Sequence, residues 1–435
     1  MDQQNTLRAN NRIFSIHDPI IPTIQKLLVL YIVVWTIAPP LQIDTVYRLA
    51  ALGAVGLWFL LNIPYNVKLE KIHMMALGFL LLVIVVALFE SQGNLEYVLR
   101  PINYYMLIIA FLMAYCYKGR WHELSWLIPV VLLLLIYFNY QSYKAVIDDP
   151  QVARLIVRND AETYHYMRRG VGGYGLLYPQ VCCLPMVVMW TIKAFRKSWL
   201  RFIIGVVWMV SYYLYAANSG YTIAVVTSVI GLIILFFYKR KSIVLAIVVT
   251  AIILGILIWL IGYNDGFRNA LIDFFDGTKI AQKIKDVHLS LTTTDTADSI
   301  LVRWQAYLAS IQTIFTYPVI GGLWFSSGGG HSAILDTFAK YGLFGGYVYI
   351  KIVFGFVMQM KNSAQEKDVR IANALFIAFL MVLLLDSMSY NFTCMLVLIP
   401  PICHNDILTW RKKDENSLDS QPAPESSGSS TEYSV

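Results

Sequence analysis

The segment from Arg303 to Gly346 holds the densest group of residues able to do chemistry, and it reads RWQAYLASIQTIFTYPVIGGLWFSSGGGHSAILDTFAKYGLFGG. An amphipathic stretch beginning at Arg303 leads to Pro318 and to Gly321-Gly322. Gly328-Gly329-Gly330 then delivers His331 to the start of an apolar run. Three glycines permit a backbone path close to a ligand that side chains would obstruct. A helix start offers unpaired N–H groups and the positive end of a dipole, which favour a bound anion and a neutral imidazole. A neutral His beside an anion is what a general base needs. The alternative is an interfacial histidine with one structural hydrogen bond.

A second cluster runs from Arg154 to Tyr178, RLIVRNDAETYHYMRRGVGGYGLLY. Arg168 and Arg169 directly precede the glycine-rich start of another apolar run. Two guanidiniums there make a phosphate or diphosphate site, since Arg gives planar bidentate contacts; a solvated basic stretch at the lipid headgroups is the alternative. His165, three residues before Arg168, is either a second base or orienting group or a plain loop histidine. Gly170, Gly172 and Gly175 satisfy GxGxxG, but no βαβ context surrounds them. His288 lies in a Thr/Asp-rich stretch and reads as solvated. Asp336 and Lys340 are four residues apart and read as a mutual ion pair. Asp386 reads as a snorkelling or polar-cluster residue near the outer end of a span. The 28 Tyr and 11 Trp fit interfacial belts or sugar stacking.

The elements that must position these residues are membrane helices. Of the 435 residues, 57% are hydrophobic and 14% charged, and the mean hydropathy is +0.58. An ordinary soluble domain has about 45–50% apolar and about 25% charged residues. The chain is therefore an integral membrane protein, which excludes nucleic-acid enzymes and secreted disulfide scaffolds. A bilayer core needs roughly 20 apolar residues per helix. Twelve stretches qualify, near 22–40, 46–63, 72–89, 101–117, 124–141, 173–192, 201–217, 221–238, 242–262, 332–358, 371–388 and 392–409. The first begins near Ile24 and reads as a retained span rather than a cleaved signal peptide. The five cysteines lie in or beside apolar runs without ligand spacing, so neither disulfides nor a zinc or other metal site is expected.

Every second connection is basic: Lys68 and Lys71; Lys118 and Arg120; Lys193, Arg196, Lys197 and Arg201; Lys239, Arg240 and Lys241; Lys361, Lys367 and Arg370. Arg8, Arg12, Arg411, Lys412 and Lys413 place both tails on that same side. The positive-inside rule makes it the cytoplasm. Two outer connections are long, about 141–172 and 263–330, and loops of that length are usually functional. Residues 1–413 form one membrane domain, and 414–435, rich in Ser, Pro and Glu, read as a disordered cytoplasmic tail.

Over about 205–350 the chain resembles the O-antigen polymerase and O-antigen ligase superfamily of bacterial membrane glycosyltransferases. The family's Arg-x-x-x-Tyr helix reads here Arg303-Trp304-Gln305-Ala306-Tyr307. Its Pro/Gly turn reads Pro318-Val319-Ile320-Gly321-Gly322, and its His-Asn/Ser-x-x-Leu motif reads His331-Ser332-Ala333-Ile334-Leu335. Gly342-Leu343-Phe344-Gly345 matches Gly-Leu-x-Gly. Arg154 and Gly170 have the Arg-x15-Gly spacing of polymerase outer loops, whereas Ser219-Gly220 stands where the family carries Ser-Arg.

The resemblance implies an all-α, GT-C-like glycosyltransferase of twelve spans in the bacterial inner membrane, working on its outer face without cofactor or metal. The donor is an oligosaccharide on undecaprenyl diphosphate. The acceptor is a lipid-linked repeat unit for a polymerase or lipid A core for a ligase, and a chain-length regulator is an implied partner. His331 deprotonates the acceptor, while Arg168, Arg169 and Arg303 hold the diphosphate. Arg154, Arg158, His165 and Tyr307 are weaker glycan contacts. A flippase for lipid-linked oligosaccharide is the rival from another class; it would show mid-membrane charges and repeated halves. For the topology, cysteines placed at Leu155 and Lys285 are expected to react with an impermeant maleimide from outside. Outside labelling at Arg240 would overturn the orientation.

Overall fold

The computed structural model of the chain describes residues 20–62, 70–93, 98–99, 101–158, 163–240, 242–292, 298–323, 329–365, 368–385 and 392–404, among which there is no strand. The first helices are α1 (Ile20–Ile37), α2 (Pro39–Ile43), α3 (Thr45–Asn62), α4 (Lys71–Ser91), α5 (Ile102–Cys116) and α6 (Leu127–Asp148). Two short helices, α7 (Val152–Arg158) and α8 (Tyr164–Arg168), lead to α9 (Tyr174–Ala194), α10 (Trp199–Ser219), α11 (Thr222–Phe237) and α12 (Ile243–Tyr263). Then come α13 (Asp265–Phe274), α14 (Lys279–Thr292), α15 (Asp298–Thr316), α16 (Ala333–Gln365), α17 (Val369–Leu385) and α18 (Phe392–His404).

Each of the twelve apolar stretches falls on one of these helices. Seven, namely α3, α4, α6, α9, α10, α12 and α16, are long and apolar enough to cross a bilayer; α1, α5, α11, α17 and α18 are apolar but shorter. The protein is a multi-pass membrane protein. The two long outer connections differ from loops, because α7, α8 and α13 to α15 fold within them. Their apolar residues recur with helical spacing among polar ones, so hydropathy over a span-length window passes them by. The proposed tail and Asp386 lie outside the described residues.

Burial sorts the helices. α5, α9, α17 and α18 are buried on nearly all sides, while α3 and α12 present apolar side chains outward, as lipid-facing helices do. α9 is clamped by a reciprocal amide pair: Asn139 Nδ2 donates to Gln180 Oε1 at 2.8 Å, and Gln180 Nε2 donates to Asn139 Oδ1 at 2.9 Å. Both side chains are fully buried, so each amide is satisfied by the other helix and not by water.

The helix ends sort into two layers. At one end Gln25 reaches Leu61, Trp58 reaches Tyr117, His122 lies against His404, and Asn373 reaches Arg240. At the other, Thr36 bonds Thr393, Glu90 pairs with Lys340, Tyr221 reaches Ala153, and Lys279 reaches Pro150. Every one of these contacts joins ends that strict alternation places on the same side, and both long outer connections fall in the second layer.

α16 is the exception to helical regularity. It has 33 residues, about 50 Å at 1.5 Å per residue, far more than a bilayer core requires. Gly342 (φ 69°, ψ −173°) breaks it, and the run from Leu343 to Gln365, about 34 Å, is by itself long enough to span. The break frees backbone groups, which the turn before α16 takes up. The Gly322 N–H donates to the Ala339 carbonyl and the Leu323 N–H to the Lys340 carbonyl, both at 2.8 Å. The Leu343 N–H donates back to the Pro318 carbonyl at 2.8 Å. The two backbones touch: a Cβ on Gly321 would lie 2.3 Å from Gly342 N, and one on Gly342 would lie 2.2 Å from Val319 O. Both glycines also have positive φ, where a side chain costs about 1–2 kcal/mol before any clash. Gly321→Ala and Gly342→Ala are therefore expected to abolish the monodisperse folded fraction in detergent chromatography. Gly255→Ala, whose Cβ meets nothing within 4 Å, should leave it unchanged or raise thermal stability slightly.

Candidate functional site

Ser310, fully buried on α15, organises the site. Its hydroxyl donates to Asp336 Oδ1 at 2.6 Å, and its oxygen accepts the Gly329 N–H at 2.7 Å. Asp336 Oδ2 accepts the Ser332 N–H at 3.0 Å. The backbone is thus held two residues before His331 and one residue after it, and the two anchors are bonded to each other. Gly329 makes the approach possible: a Cβ there would lie 1.9 Å from the Ala306 carbonyl oxygen. His331 is half-buried on this turn.

Arg303 sits one helical turn before Ala306, so the cation and the imidazole segment lie along the same short length of α15. Arg303 Nη1 donates to the Leu385 carbonyl at 3.2 Å, and the Tyr307 hydroxyl donates to the same oxygen at 3.0 Å. α16 and α17 are joined by residues 366–368, which puts the start of α16 and the end of α17 in one layer. α15 bridges them, fastened to the first through Ser310 and to the second through Arg303 and Tyr307.

The helix start at His331 differs from the open anion site that sequence implies. The Ser332 hydroxyl accepts the Leu335 N–H at 3.3 Å, and Asp336 places a carboxylate in the first turn. The positive end of the dipole is already met by that carboxylate. Positive charge for a bound anion must come from side chains, and Arg303 is carried by the helix whose Ser310 holds this turn.

The expected Asp336–Lys340 pair is replaced by two other pairings. Asp336 is taken by α15 and by its own helix start, as the first turn favours for a carboxylate. Lys340, in the last turn before the break, pairs with Glu90 at the end of α4 at 3.0 Å and lies over the Tyr341 ring. Beside it the Tyr104 hydroxyl meets Thr337 Oγ1 at 3.1 Å, and Phe79, Tyr104, Tyr341 and Tyr349 pack edge to face or tilted against one another. This aromatic wall fixes the helix that follows His331. His288 is half-buried rather than freely solvated: its Nδ1 lies 3.0 Å from Arg268 Nη1 and 2.9 Å from the Gly262 carbonyl.

The second cluster lies in the same layer, on other helices. Arg168 ends α8, and Arg169 caps it; both are exposed. They stand at a helix C-terminus, with Gly170–Gly173 between them and the start of α9. Those glycines serve packing: the Gly172 N–H donates to Ser142 Oγ at 2.9 Å, its carbonyl accepts the Tyr215 hydroxyl, and a Cβ on Gly173 would press on Ile156. α8 packs on α2 and α7, whereas α15 packs on α16. The exposed His165 ring lies 3.8 Å from the Tyr166 ring, and Arg154 and Arg158 are on α7.

Fold and site together define a multi-pass helical membrane protein with a histidine turn and an arginine helix locked together in one end layer. Compared with known proteins, the chain matches no family model and no curated protein. Sequence reasoning passed over Ser310 altogether and read Asp336 as half of an ion pair. A Ser followed four residues later by an Asp at a helix start was the available signal for the second. Ser310→Ala would leave the Gly329 N–H and an Asp336 oxygen without their partner, at a cost of about 1–3 kcal/mol. It should lower the thermal midpoint in detergent more than Gln312→Ala, at an exposed position on the same helix.

Proposed function

We propose that the protein is a lipid-linked glycan polymerase of the bacterial inner membrane. In this reading all twelve apolar helices cross the bilayer, both termini are cytoplasmic, and the layer holding His331 faces outward. The observation that carries the reading is the interlock of α15 with the His331 turn. It sets a fixed guanidinium one helical turn from the backbone contact that positions the imidazole. A transferase whose leaving group is a diphosphate needs such a pair.

The acceptor hydroxyl of one lipid-linked repeat attacks the anomeric carbon of another chain. His331 takes the hydroxyl proton as the new C–O bond forms. The bond from the anomeric carbon to the diphosphate oxygen breaks with inversion, and its electron pair stays on the undecaprenyl diphosphate. Arg303 meets the charge that builds there, joined by Arg168 and Arg169 from the same layer, in a metal-independent reaction. Fixed cations aimed at developing charge cost no reorganisation at the moment of reaction. Arg154, Arg158, His165 and Tyr307 are placed as glycan contacts, Tyr307 through its ring, since its hydroxyl is engaged by Leu385.

The test is purified protein in proteoliposomes with lipid-linked repeat units. A ladder from repeats alone supports the polymerase. Product only after lipid A core is added would make it a ligase, and transbilayer movement without new glycosidic bonds would make it a flippase. His331→Ala is expected to lose about 10²–10⁴-fold in turnover. Arg303→Ala should lose roughly 10²–10³-fold. Arg303→Lys should recover only part of that, having charge without the bidentate fork. Chelators should leave the rate unchanged.

A further inference from the structure

α15 has nineteen residues, the length of a span, yet it is not one of the seven helices apolar enough to cross. Its side chains divide into three strips. Ser310 and Thr313 are buried, and Ala306 carries the backbone against which Gly329 packs. Trp304, Leu308, Ile311 and Phe315 are exposed by 60%, 44%, 37% and 81%. At 100° per residue these four fall within an arc of about 60°. Gln305, Gln312 and Thr316 are exposed too, on the adjoining flank. The exposed surface from Trp304 to Thr316 is therefore split lengthwise into a strip of large apolar side chains and a flank of Gln305, Gln312 and Thr316 with the small Ala309, beyond which Val302 is exposed by 53%.

A helix bathed in water on its free side gains nothing from a strip of Trp, Leu, Ile and Phe, and a helix crossing the bilayer would not set glutamines beside it along its length. A helix lying in the plane of the headgroups needs both strips. The apolar strip also has a neighbour on a helix long and apolar enough to cross a bilayer. It runs on through the exposed Val319 and Ile320 of the turn to Leu343 and Phe344, which open the membrane-spanning part of α16 and are exposed on it. The turn is hydrogen-bonded to that helix at Pro318–Leu343, which joins the segments that carry the two apolar surfaces.

We infer that α15 is an interfacial helix docked on acyl chains: its Trp304–Leu308–Ile311–Phe315 strip is inserted among the hydrocarbon of the leaflet on the side of the His331 layer, and its Gln305–Gln312–Thr316 strip faces water. The partner is the lipid surface itself, and the inference stands whether or not the protein transfers glycans.

The experiment uses the full chain in vesicles of phosphatidylethanolamine and phosphatidylglycerol, with nitroxide labels on single cysteines introduced at 304, 308, 311, 315, 305, 312 and 316. Collision with oxygen, which concentrates in hydrocarbon, is compared with collision with a water-soluble nickel chelate. The oxygen-to-nickel ratio should be several-fold higher at the first four positions than at the last three, following the helical period. A ratio typical of water at all seven, or hydrocarbon values at all seven, overturns the inference. As a check free of labels, brominated lipid should quench less of the total fluorescence in Trp304→Phe than in the parent. Equal quenching counts against insertion.

Discussion

Breaking a helix at the edge of a membrane leaves backbone groups that no water can satisfy inside hydrocarbon, each at a cost of several kcal/mol. The break at Gly342 is tolerated because the turn from Pro318 to Leu323 answers it group for group. That turn can come so close only because Gly321 and Gly342 have no side chains. Much else depends on the joint. It fixes the end of α15 against α16, and α15 carries Ser310 to the turn that holds His331. The glycines and the proline are thus mechanical parts, and the chemistry is supported by them at one remove.

The polar network beyond the joint shows which force does what. Ser310, Asp336 and the two backbone N–H groups neutralise one another's hydrogen-bonding needs, so the network holds the His331 turn and has little left to offer a ligand. Arg303 is different. Its Nη1 donates to the Leu385 carbonyl and so ties α15 to the end of α17, whereas Lys340 is paired with Glu90. Arg303 thus belongs to the helix that also carries Ser310 to the histidine turn.

The apolar helices were legible from the sequence because a bilayer asks for long uninterrupted apolar runs, a signal that survives without knowledge of any contact. The pairing of helix ends followed from alternation. The helices of the outer connections were not legible in the same way. In α15 apolar residues occur on several sides of the helix, interrupted by polar ones, and the strip emerges from knowing which side is already covered by α16. The motif residues from Arg303 to Gly345 were singled out as a group, and the structure brings them together. Their division of labour was not readable. Nothing in the sequence says that Pro318–Gly322 and Gly342–Gly345 bond to each other, or that Asp336 turns to Ser310 instead of Lys340. Those outcomes depend on a break whose direction is set by the three-dimensional path of both segments.

The burial pattern also bears on how the chain is made. α17 is enclosed by α9, α11, α12 and α16, and α18 is buried along its described length. Of the described helices, these two are the last to leave the ribosome. At about 5–20 residues per second, the centre of the bundle stays unfilled for tens of seconds while the helices around it enter the bilayer. During that interval α9 has its amide partner Asn139 but lacks much of its packing. The nascent protein is a cup of helices awaiting its plug, and an interruption of synthesis before Val369 would leave in the membrane a species with an open, lipid-accessible interior. Such a species is what membrane quality control has to recognise, and here it is built into the order of the helices.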